Sequence, residues 1–102
     1  MEYNDTNARQ EFIDAVKNYA KIKCAVIYTE KQDAKILKVG YSAKEYDEFL
    51  DKLDFEYDSG YGGQNLFGHI WLEDNTWLSR GEYDGSEWWE YNAVPEIPTE
   101  CL

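Results

Sequence analysis

Apolar residues recur at helical spacing in two stretches of this chain and alternate with polar ones in a third. Ala8, Phe12, Ala15, Val16 and Tyr19 fall near a 3.6-residue repeat and predict a helix from about Asn7 to Lys21. Asn7 with Gln10 gives a weak capping box at its start. Cys24–Thr29 is a short, nearly continuous apolar run that reads as a buried strand. Glu30–Asp33 is a polar turn, and Ala34–Val39 returns as a second strand that Gly40 ends. Ser42-Ala-Lys-Glu45 is a full capping box, with Tyr41 and Tyr46 at the positions of a hydrophobic staple. Tyr46, Phe49, Leu50 and Leu53 form the stripe of the second helix. Periodicity is lost from Asp54 to Gln64, and Ser59-Gly-Tyr-Gly-Gly63 reads as a loop.

The last third alternates. Asp74-Asn75 and Asp84-Gly85 are both two-residue hairpin signals, because these residues tolerate the positive φ of a type I′ turn. If both turns are used, Leu72 faces Trp77 and Ile70 faces Ser79. Ser79 then faces Glu90, and Gly81 faces Trp88. One face carries Leu66, Gly68, Ile70, Leu72, Trp77, Gly81 and Trp88. The other carries Phe67, His69, Trp71, Leu78, Arg80, Glu82, Glu87, Trp89 and Tyr91. The first face has fewer charges and is assigned to the core, with Trp88 filling the space over Gly68 and Gly81. Residues 93–102 form an extended, proline-containing tail. The expected fold is α+β: two helices on one face of an antiparallel sheet, in the order α-β-β-α-β-β-β, ending in a three-stranded meander.

Charge divides the chain. Residues 1–44 hold eight of the ten Lys/Arg and six of the twenty-one Asp/Glu, a mildly basic half of net +2. Residues 45–102 hold two cations against fifteen acids, net −13. An acidic surface of this kind repels nucleic acid and anionic membranes, and it attracts basic proteins. At 102 residues the chain is expected to form one domain. Seventeen per cent aromatic content argues against disorder. Cys24 and Cys101 lie far apart and belong to no metal or redox motif, as expected of free thiols in a reducing cytoplasm. No signal peptide or membrane-spanning segment is expected.

Catalytic chemistry finds little support. His69 is the sole histidine, and the expected register sets it opposite Arg80, which discourages its protonation. Asp54–Gly60 departs from a calcium loop in the position of its glycine and in having Asn65 where a bidentate Glu should stand. Gly60, Gly62 and Gly63 lack the Lys-Ser/Thr of a phosphate loop. No catalytic residue, metal or cofactor is therefore expected. The acidic residues Glu45, Asp47, Asp51 and Asp54 of the second helix, and Glu73, Asp74, Glu82, Asp84 and Glu87 of the meander, have two readings. They are a solubilising face, or they imitate phosphates: carboxylates at i, i+4 on a helix or i, i+2 on a strand lie about 5–7 Å apart. The aromatic face, with Trp71, Trp89 and Tyr91 as candidate anchors, is covered by the tail or by a copy of the chain in a homodimer, or it docks a different protein.

The stretch Phe67–Tyr91, with its Trp-x-x-Arg-x-Glu-Tyr-Asp-Gly-Ser-Glu-Trp-Trp core, resembles the ending of small proteins of tailed phages and prophages. The resemblance covers about a quarter of the chain and implies a phage setting. Acidic phage proteins of this size include anti-restriction and anti-CRISPR inhibitors, an analogy of size and charge. The resulting expectation is a non-enzymatic inhibitor of a basic, nucleic-acid-handling host protein or nucleoprotein complex, acting as a nucleic-acid mimic in the cytoplasm of the infected host. The alternatives are an immunity or antitoxin-like partner of a cognate nuclease, or a small enzyme acting on a defence nucleotide.

Overall fold

Both helices begin where their caps stand. The computed structural model describes residues 5–58 and 63–102. In it Asn7 accepts a hydrogen bond from the Gln10 amide at 2.9 Å. The chain runs β1 (Asp5–Asn7), α1 (Ala8–Val16), β2 (Ile22–Thr29), β3 (Gln32–Leu37), α2 (Ala43–Lys52), β4 (Glu56–Asp58), β5 (Leu66–Leu72), β6 (Trp77–Tyr83) and β7 (Ser86–Asn92). At the head of α2 the Glu45 amide donates to Ser42 Oγ at 3.1 Å, and the Ser42 amide donates to Glu45 Oε1 at 3.2 Å. Tyr41 and Tyr46 stack beside this box at 5.8 Å, as a staple requires. The first helix ends at Val16, short of the expected Lys21. The Tyr19 amide turns back to the Val16 carbonyl, and the Tyr19 ring lies flat on Tyr91 at 4.2 Å.

Five strands form one antiparallel sheet in the order β3-β2-β5-β6-β7. This is the α+β architecture the alternation predicts, ending in the β5-β6-β7 meander. Two short strands were not expected: β1 and β4 pair as a separate ribbon, too short for a periodicity to register. It ties the start of α1 to the end of α2, and the Ala8 amide extends it to the Phe55 carbonyl at 2.9 Å. Both helices pack on the same face of the sheet. Phe12 of α1 meets Phe49 of α2 edge to face at 5.5 Å. With Leu50 and Leu53 they bury Ala25, Ile27, Leu37, Leu66, Ile70, Leu72 and Leu78. Each such large side chain stabilises the fold by about 1.5–3 kcal/mol.

The two hairpin turns behave differently. Asp84 and Gly85 both take positive φ, 52° and 87°, so the β6–β7 turn has two residues. Its register is the expected one, with Ser79 opposite Glu90 and Gly81 opposite Trp88. The β5–β6 turn has three residues instead of two. The Asn75 amide closes on the Leu72 carbonyl, Asn75 alone takes positive φ, at 67°, and the Leu72 amide pairs with Thr76. This is the type I turn with a left-handed third residue. Asp74 selects it by accepting hydrogen bonds from the Thr76 amide and hydroxyl. Ile70 therefore faces Leu78, and His69, not Ile70, faces Ser79.

One extra turn residue reverses every side chain that follows. Leu66, Gly68, Ile70 and Leu72 face the core as expected, but Trp77, Gly81 and Trp88 do not. Leu78, Arg80, Glu87, Trp89 and Tyr91 take the helix-covered side in their place. Trp88 does lie on Gly81, whose added Cβ would stand 2.5 Å from the indole. It does not cover Gly68. That glycine, at φ +152°, is crowded by the Val26 carbonyl of β2.

Candidate functional site

The reversed register gives the sheet an uncovered aromatic face. Tyr28, Phe67, Trp71, Trp77 and Trp88 point away from the helices. Tyr28, Trp71 and Trp88 are 43%, 41% and 40% exposed. Tyr28 stacks on Phe67 at 5.4 Å, and His69 stacks on Trp71 at 5.6 Å. Trp71 and Trp77 are direct cross-strand neighbours at a pair without mutual hydrogen bonds, where side chains approach most closely. Along the three meander strands Glu90 is the one Asp, Glu, Lys or Arg side chain on this face. His69 faces Ser79 here, so the expected opposition to Arg80 does not occur.

Arg80 lies on the covered side, in a buried polar network. Its guanidinium reaches Glu87 Oε1 at 3.0 Å, the Tyr57 hydroxyl at 2.8 Å, Glu11 Oε1 at 3.3 Å and the Leu66 carbonyl at 3.3 Å. Trp89 covers it at 4.9 Å. Glu87 also accepts the amides of Asn65 and Leu66, at 2.7 and 2.8 Å. These contacts replace a missing ladder. The β5–β6 pairing spans only Trp71–His69 against Trp77–Ser79. The Leu66 amide and carbonyl, which β6 does not reach, bond Glu87 and Arg80 instead. Burial opposes the charge of Arg80, but Glu11, Tyr57 and Glu87 outweigh it and hold the guanidinium above its ordinary pKa. Burial, then donation to Glu11, pushes the Tyr57 phenol up.

The structure disperses the predicted interaction residues. On α2, Glu45, Asp47 and Asp51 are exposed, and Asp54 just beyond it accepts from Asn7 at 3.0 Å. Asp47 and Asp51 have no ion pair among the described residues. These acids lie on the helical layer, across the sheet from the aromatic face. Glu73 and Asp74 stand at one end of the meander, and Glu82 and Asp84 at the other, with Glu82 accepting from the Gly85 amide. Glu87 is a correction. Its side chain is fully buried against Arg80 and cannot meet a partner. Of the aromatic anchors, Trp71 is on the open face. Trp89 is half-buried over Arg80, and Tyr91 is stacked on Tyr19, so neither shares that face.

Sequence reasoning placed Arg80 and Glu87 on one face but missed Glu11 and Tyr57, because the ribbon that delivers Tyr57 leaves no pattern. Cys24 and Cys101 are free thiols. Among the described residues no group of three His, Cys, Asp or Glu could hold a metal ion, and no helix is long and apolar enough to cross a membrane. The glycine loop at 59–62 lies outside the described residues. No family model, curated protein or solved structure matches the chain.

Proposed function

We propose that this chain acts by binding another protein, without catalysis of its own, and that the partner is a basic, nucleic-acid-handling protein. The observation that carries this reading is the uncovered sheet face with the aromatic side chains of Tyr28, Phe67, Trp71, Trp77 and Trp88. Contiguous exposed aromatics mark protein interfaces, and Trp and Tyr dominate their binding energy. The acids determine the sign of the partner. Glu73 and Asp74, and Asp84, stand at the turns that end the strands and rim the face. Glu45, Asp47 and Asp51, on the far side, act through the long-range field that steers encounter. The resemblance of residues 67–91 to small proteins of tailed phages supports an anti-defence inhibitor, working in the host cytoplasm by occupying a groove built for DNA or RNA.

The test is competitive capture. Wild-type protein and the Trp71→Ala and Glu73→Lys/Asp74→Lys variants are used as baits in lysate of a phage-susceptible bacterium. A DNA- or RNA-binding protein should be enriched by the wild type, displaced by added oligonucleotide, and depleted from both variants. A partner that holds oligonucleotide and this chain together, or that binds all baits equally, overturns the reading.

A further inference from the structure

The last strand of the sheet has an open outer edge. With a two-residue turn, the hydrogen-bonded pairs of β6–β7 are Tyr83–Ser86, Gly81–Trp88, Ser79–Glu90 and Trp77–Asn92. The amides and carbonyls of Glu87, Trp89 and Tyr91 therefore point outward. Among the described residues no strand pairs with them. An unprotected edge of this length is a template for another chain.

Beside this edge, between β7 and α1, runs a groove of about 580 Å³. Gln10, Glu11, Asp14, Ala15, Trp88 and Trp89 line it. Asp14 is exposed and its contact with Lys17 is long, at 4.0 Å. The indole N–H of Trp89 is buried without an acceptor. The groove walls thus offer aromatic surface and the exposed Asp14 carboxylate, while Glu11 is already held by Arg80 and Tyr57. Its floor is the side of β7 toward which every second residue of an added strand would project.

We infer that the β7 edge takes an extended basic segment of a partner protein as a sixth strand, with alternate Arg or Lys side chains entering the groove toward Asp14. Backbone bonds to Glu87, Trp89 and Tyr91 hold the segment, and the Asp14 carboxylate selects its charge. This mode rests on the reading of the chain as a protein-binding module and names the form of the partner's contact.

The probe is a capped, fluorescein-labelled nonapeptide of alternating Arg and Val, with a Glu-Val counterpart and a version N-methylated at alternate residues. Fluorescence anisotropy should show the Arg-Val peptide binding, and both control peptides should bind at least about tenfold more weakly. Asp14→Lys, on an exposed helix position, should weaken binding by about tenfold, and Tyr91→Pro should remove an outward amide without breaking the β6 ladder. Amide hydrogen exchange should slow at residues 87, 89 and 91 when the peptide is bound. This readout does not depend on any variant folding. Equal binding of the N-methylated peptide, or unchanged exchange at those amides, would overturn the inference and show only nonspecific charge attraction. Protection of the same amides without peptide, rising with protein concentration, would assign the edge to a second copy and overturn it as well. If the peptide fails while the Trp71→Ala bait still loses its partner, the edge inference falls and the module reading stands.

Discussion

Replacing Arg80 by Met should be among the most damaging single changes in this protein. The Arg80 and Glu87 side chains are 2% and 0% exposed, so the pair is shielded from water. Methionine leaves the Glu87 carboxylate buried with two backbone donors and no countercharge. It also removes donors from Tyr57, Glu11 and the Leu66 carbonyl. Breaking a buried ion pair from one side costs about 3–5 kcal/mol, a large part of the ~5–15 kcal/mol that holds a domain together. In a domain of this size 1 kcal/mol moves Tm by about 4–8 °C, so Tm should fall by more than about 10 °C. Removing both charges is less harmful than the separate losses imply. In a thermodynamic cycle of Arg80→Met, Glu87→Gln and the double variant, measured by urea unfolding, the double loss should fall short of the sum by about 1–3 kcal/mol. Additive losses, or a cost for Arg80→Met below about 1 kcal/mol, would falsify the view that this pair stands in for the missing β5–β6 ladder.

Two further outcomes follow from the geometry. Gly68→Ala should destabilise the protein by about 2–4 kcal/mol, because its Cβ would stand 2.3 Å from the Val26 carbonyl, in backbone that cannot yield, whereas Gly63→Ala, with nothing within 4 Å, should be nearly silent in the same urea titration. Tyr57, whose phenol is raised by burial and by its bond to Glu11, stabilises the fold fully below about pH 10 and loses that contribution as pH rises above it. The urea midpoint should therefore drop across pH 9–11. Tyr57→Phe should flatten that slope, leaving the smaller share from Tyr41 and Tyr46, which are raised by burial and by neighbouring negative charge; an unchanged slope would refute the assignment.

The helices and β2–β3 were legible because their signals are local. The Ser42–Glu45 box and the Tyr46-Phe49-Leu50-Leu53 stripe act within a few residues of one another. The Asp84-Gly85 turn was legible for the same reason. Asp74-Asn75 was not, because two turn geometries suit that dipeptide, and the choice rests on Thr76, whose amide and hydroxyl both bind Asp74. That choice moved Trp77 and Trp88 out of the core and Glu87 into it. The open aromatic face was thus composed of residues from both predicted faces. The Arg80 network was hidden for another reason: it gathers residues from α1, β4, β6 and β7, and only the folded chain brings Glu11 within 3.3 Å of Arg80.

The three-residue turn at Glu73-Asp74-Asn75 sets the parity of the fourteen strand residues of β6 and β7. Deleting one residue there would leave every propensity and cap elsewhere intact, yet it would drive Leu78 and Arg80 to the outside and Trp77 into the core. Substitutions at the turn are graded changes, whereas changes in its length are all-or-none. Variation among sequences of this fold should therefore accumulate freely at residue 73, keep residue 75 to types that accept positive φ, and spare the number of turn residues, with any insertion or deletion balanced by a second one before Trp77. The hairpin works as a reading frame for side chains, and its turn is the position at which that frame is set.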